Sequence, residues 1–98
     1  MPAYVVALVN VGDPEAMGRY AGAVAAVTES FGGRYLFGGP GAQALEGAAP
    51  DAMAIIEFPT RADAERWYTS AEYAPLRELR QQAGESSLIL TPDAGGAS

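Results

Sequence analysis

Six consecutive apolar residues, Tyr4-Val5-Val6-Ala7-Leu8-Val9, constrain this chain more than any other feature. The run is β-branched and lacks polar alternation, so it reads as a strand that needs cover on both faces. A chain of 98 residues ordinarily makes one domain. Folding at this size takes roughly 64% of the extended surface out of water, enough for one modest core. Nothing is left over to cover a sheet twice. The expected second cover is another copy of the same sheet, and hence a homodimer.

The remaining elements follow from caps and periodicity. Asp13-Pro14-Glu15 supplies an N-cap, a proline at the first helical position and an acid in the first turn. Met17, Tyr20, Val24, Val27 and Phe31 recur at steps of three and four, and Gly32-Gly33 closes this helix with a left-handed cap. Arg34-Tyr35-Leu36-Phe37 is a second strand broken by Gly38-Gly39-Pro40-Gly41, with Gln43-Ala44-Leu45-Glu46 as a short continuation ended by Gly47. Met53 to Phe58 is the third strand. Thr60-Arg61-Ala62-Asp63 resembles a capping box and opens a helix carrying Ala64, Trp67 and Tyr68. Ser70 or Glu72 restarts it, with Pro75 in the first turn, and Tyr73, Leu76, Arg80 and Ala83 share the new face. Ser87 to Thr91 is the last strand. The domain is expected to span residues 1–92, with 93–98 a disordered tail.

This order is β-α-β-β-α-β: an α+β, ferredoxin-like domain with a four-stranded antiparallel sheet and two helices on one face.

Composition narrows the chemistry. The absence of Cys removes disulfides, thiolate nucleophiles and thiolate metal sites. The absence of His removes the usual general base and the commonest metal ligand. All basic residues are arginines, so no lysine serves a Schiff base or a phosphate loop. A net charge of −6 with no arginine cluster argues against nucleic acid and anionic membranes. No apolar run is long enough to span a bilayer. Met1-Pro2-Ala3 leads into the first strand without a basic segment or cleavage site, so a cytoplasmic location is expected. Carboxylate spacing matches no metal motif, and neither metal nor cofactor is expected.

The motifs Gly32-Gly33-Arg34-Tyr35-Leu36, Leu45-Glu46-Gly47, Glu57-Phe58-Pro59 and Trp67-Tyr68-Thr69-Ser70, with Glu72-Tyr73 and Arg80 behind, stand in the order of a known pattern. From about Tyr4 to Leu90 the chain resembles domain-of-unknown-function family 1330, within the dimeric α+β barrel superfamily. The resemblance implies the fold and dimerisation. Superfamily relatives include cofactor-free oxygenases, cyclases and isomerases of polyketide-like compounds, and proteins without a known reaction. Many members carry a His where this chain has Phe31 and an Arg where it has Gly38, which implies a more apolar site here.

Arg80 is the most informative residue, because it falls on an otherwise apolar helical stripe. It either anchors an anionic or enolate oxygen or pairs internally with Glu46 or Glu57. Arg34 offers a similar anchor, or a surface ion pair. Glu57, interrupting an apolar strand, and Glu46, beside a turn glycine, are the available carboxylate bases, or simply solvated groups. Tyr20, Tyr35, Tyr68, Tyr73 and Trp67 suit a flat apolar ligand with a few hydrogen bonds, Trp67 reading chiefly as core and Tyr20 and Tyr68 as the better pocket residues. Ser70 reads as a helix cap before a nucleophile, and Asn10 fixes either a ligand carbonyl or a turn.

The expected protein is thus a homodimer holding a small hydrophobic carbonyl or phenolic metabolite. Glu57 or Glu46 would move a proton, while Arg80 with Tyr68 or Tyr20 would stabilise an oxyanion in cofactor-independent cyclisation, isomerisation or dehydration, with cofactor-free oxygenation as a near variant. A non-catalytic ligand-binding or partner-binding dimer is the alternative.

Overall fold

The apolar run becomes the interior of β1 (Ala3–Val11) in a computed structural model that describes residues 1–93. The chain continues through α1 (Pro14–Ser30), β2 (Arg34–Pro40), β3 (Ala52–Phe58), α2 (Arg61–Thr69), α3 (Ala74–Ala83) and β4 (Gly84–Leu90). The four strands form one sheet in the order β2-β3-β1-β4, every neighbouring pair antiparallel. The ferredoxin-like α+β fold is therefore the observed one. The expected tail lies, beyond Asp93, outside the described residues; Asp93 itself accepts a hydrogen bond from the Arg61 backbone N–H.

Register explains why the first strand lacks alternation. Val5 stands opposite Ile56 on one side and Leu90 on the other. Ala3, Val5, Ala7 and Val9 are buried beneath the helices, where Val5, Ile56 and Phe58 pack with Val24, Ala64, Trp67, Tyr73 and Leu76. Tyr4, Val6 and Leu8 point the other way, beside Ile55, Met53 and Ile89. Among the described residues no helix covers that second face, and Ile89 and Phe37 remain 54% and 44% exposed on it.

Local chemistry sets the helix ends. The Asp13 carboxylate accepts from the N–H groups of Glu15 (3.1 Å) and Ala16 (3.2 Å), two donors that the first turn leaves without partners. Asp13→Ala is expected to lower unfolding free energy by about 1 kcal/mol, read from urea denaturation, with the fold unchanged. At the other end Gly32 takes φ +85°, and Gly33 passes so close to β3 that a Cβ there would fall 2.6 Å from Thr28 Cγ2 and 2.7 Å from the Phe58 ring. The Thr60 hydroxyl caps α2 by accepting from Asp63 N–H at 3.1 Å and donates to the Asp63 carboxylate at 3.0 Å, so the N-cap forms but the carboxylate takes the hydroxyl proton in place of the Thr60 N–H that a capping box would bind.

Two local readings are corrected. The glycines do not end β2, which runs on to Pro40 past a bulge at Leu36, because an edge strand tolerates both a bulge and a proline. Residues 43–46 add no strand and lie in an irregular loop. The second helical stretch restarts as expected, giving α2 and α3, although the N-cap of α3 is Tyr73 and not Ser70 or Glu72. Pro75 would clash with the carbonyl four residues back in a continuous helix, so the chain opens at Ser70 (ψ 154°) and restarts with the proline in the first turn.

Candidate functional site

Small side chains leave a gap between α1 and the sheet. Ala21 and Ala25 lie one turn apart on α1 and face Ala52, Ala54 and Gly38, where larger residues would fill the space. The result is a cavity of about 350 Å³. Its rim carries exposed residues, Ala21, Ala25, Tyr35 and Gly38, while its inner wall carries buried ones, Val5, Val24, Ile56, Trp67 and Arg80. The opening therefore lies between α1 and the edge strand β2.

Arg80 is the only charged side chain on that wall. The helical spacing of Tyr73, Leu76, Arg80 and Ala83 carries it inward, to 4% exposure. Its Nη1 donates to the Ser86 hydroxyl, which β4 presents on the helix side, while its buried Nε has no partner. Among the described residues no carboxylate lies within 4.0 Å of it; the ion pairs are Arg19–Glu15, Arg34–Glu57, Arg61–Glu65 and Arg66–Asp63.

Two phenols stand close by. The hydroxyls of Tyr20 and Tyr73 share a hydrogen bond of 2.9 Å, their rings edge to face. Burial holds the Tyr20 hydroxyl far above the usual tyrosine range; Tyr73 adds to this and the Arg80 guanidinium opposes it. Burial also raises Tyr35 at the rim. Both groups stay protonated at neutral pH and act as donors. One guanidinium with a neutral phenol, set in an apolar wall, is equipped to hold a developing oxyanion.

The structure brings Arg80, Tyr20, Tyr73 and Trp67 together and places the other candidates elsewhere. Glu57 points to the uncovered sheet face and binds Arg34 there at 2.9 Å, so it is not the partner of Arg80. Glu46 is exposed in the loop between β2 and β3, so the other expected partner is also absent. Tyr68 lines a separate groove of about 290 Å³ between α2 and β4, with the Arg77 guanidinium 5.1 Å over its ring. The Ser70 hydroxyl donates to the Trp67 carbonyl (2.8 Å) and accepts from the Tyr73 N–H (3.1 Å), a capping role. Asn10 accepts from the Asp51 N–H at 3.3 Å, which ties the loop to β1. Tyr35, one of the aromatics named from the sequence, stands at the rim, while Ser86 belongs to the site without being a sequence candidate. Alternation along β4, which sets Ser86 on the side of Leu88, is the signal that points to Ser86.

Among the described residues no three Asp or Glu side chains gather as a metal site would require, and no helix is long and apolar enough to cross a membrane.

Solved structures share this architecture. A Rhodopseudomonas palustris protein of unknown function is 25% identical, with a TM-score of 0.71 over 92% of this chain and 80% of its own. A dimeric ferredoxin-like protein of unknown function from Jannaschia is 10% identical, with a TM-score of 0.68 over 93% and 98%. A dimeric protein of unknown function and ferredoxin-like fold from Bacteroides fragilis is 13% identical, with a TM-score of 0.56 over 93% and 95%. No curated protein matches the chain. The motifs spread from β2 to α3 nevertheless answer to one family pattern, which matches residues 2–94, and the chain belongs to the family described as Domain of unknown function (DUF1330).

Proposed function

We propose that the protein is a homodimer that takes a small hydrophobic carbonyl or phenolic metabolite into the cavity between α1 and the sheet. There it promotes cofactor-independent cyclisation, isomerisation or dehydration. The observation that carries this reading is Arg80, a buried guanidinium on the wall of an apolar cavity of ligand size with no carboxylate beside it. Arg80 and the Tyr20–Tyr73 pair hold the ligand oxygen as negative charge develops on it. No carboxylate lines this cavity among the described residues, so the proton lost on enolisation passes to solvent water at the exposed rim, and the site suits substrates acidic enough for that. The same held enolate is the species from which cofactor-free oxygenation would start. The uncovered sheet face, with Val6 and Leu8 between Ile55 and Ile89, supports the homodimer, in which two sheets close face to face into an α+β barrel.

A flat phenol tests the cavity. At ten times its Kd, 2-naphthol is expected to raise Tm by roughly 5 °C or more, and Ala25→Trp, which fills the rim, should remove the rise. Unchanged Tm at saturating 2-naphthol would defeat the reading. The missing carboxylate favours a second reading, a non-catalytic binder of the same ligands. Recovery of every bound ligand unaltered from the protein would select it.

A further inference from the structure

We infer that the cavity selects ligands that arrive as monoanions, flat aromatic or enolic acids whose carboxylate or enolate oxygen meets the Arg80 guanidinium. This rests on the cavity reading and goes beyond it by naming the charge of the ligand. A cation taken out of water is costly unless an opposite charge replaces its hydration. Arg80 has given up nearly all its solvent for one neutral hydroxyl, Ser86, and its buried Nε meets no acceptor among the described residues. Tyr20 and Tyr73 bond each other, which leaves one hydroxyl proton free, and they bring no negative charge. The carboxylate nearest in the sequence argument, Glu57, is held by Arg34 on the other face. The wall therefore carries one uncompensated positive charge, so a monoanion gains there what a neutral isostere does not. Gly38, with open space where a Cβ would be, leaves room at the rim for the ring that follows the anionic group inward.

The test compares 2-naphthoate with its neutral isostere 2-naphthamide by calorimetric titration of the full chain. Naphthoate is expected to bind about 10-fold tighter or more, as charge-assisted hydrogen bonds allow. Arg80→Met should abolish that preference, naphthoate losing about 10-fold or more in affinity and naphthamide less. In a crystal of the unmutated chain with naphthoate, the carboxylate should sit on the guanidinium, which keeps the idea testable if Arg80→Met does not fold. Equal affinity for the two compounds, or a carboxylate bound elsewhere, overturns the inference and leaves the cavity reading standing. Failure of naphthoate, naphthamide and 2-naphthol alike to bind removes both. If Arg80→Met dissociates the dimer and the two compounds bind the unmutated chain equally, the counter-charge comes from the second copy and the inference is wrong.

Discussion

Trp67→Ala is expected to remove about 3–5 kcal/mol of unfolding free energy, most of the margin that a domain of this size possesses. Trp67 is 1% exposed and joins the elements of the core: its ring lies 4.3 Å from that of Tyr73 and 5.3 Å from that of Phe58. It also separates two hollows, since it lines both the cavity beside α1 and the groove between α2 and β4. Its removal would join them and leave neighbours that cannot collapse across the gap. The indole Nε1 has no hydrogen-bond partner, so Trp67→Phe should cost much less than Trp67→Ala. Circular dichroism in urea measures both, because Trp67 is the sole tryptophan and its fluorescence disappears with it. A loss below about 1 kcal/mol for Trp67→Ala would contradict this account of the core.

The second large effect concerns association. If the proposed dimer forms, Val6→Glu is expected to raise its dissociation constant at least about 100-fold, because it puts an unpaired carboxylate in the middle of the uncovered face that a second sheet would meet. Val6 lies on central strand β1, between Ile55 of β3 and Ile89 of β4, and points away from the helices. The helical core should therefore be intact in the separated chains, and far-ultraviolet dichroism should be retained. Sedimentation across concentrations distinguishes the two states. An unmutated chain that stays monomeric at micromolar concentration would refute the dimer, and with it the barrel.

Element order and caps were legible in advance because they depend on neighbours in the chain. Asp13, Pro14, Gly32 and Thr60 act within a turn of themselves, and they act where the pattern puts them. The stripe Tyr73-Leu76-Arg80-Ala83 likewise emerges as one buried face. The run of β2 through Gly38-Gly39-Pro40 was not legible, since its hydrogen bonds come from β3, and a distant partner outweighs weak local preference. The carboxylates show the same division. Glu57 interrupts an apolar strand, but alternation alone does not say which face is the outer one, and its partner Arg34 comes from another strand.

By itself the sequence determined a first strand apolar on both faces, the caps that bound its helices, and an arginine on an inward stripe, all properties of spacing within single segments. Only the tertiary structure decided what stands beside that arginine. Packing of α1 through small residues opens a cavity at Arg80, while the register of β2 and β3 takes Glu57 to the opposite side of the sheet. The physical reason is range: helical and strand periods orient a side chain relative to its own backbone, whereas the electrostatic company of a buried charge depends on segments that meet only when the chain has folded.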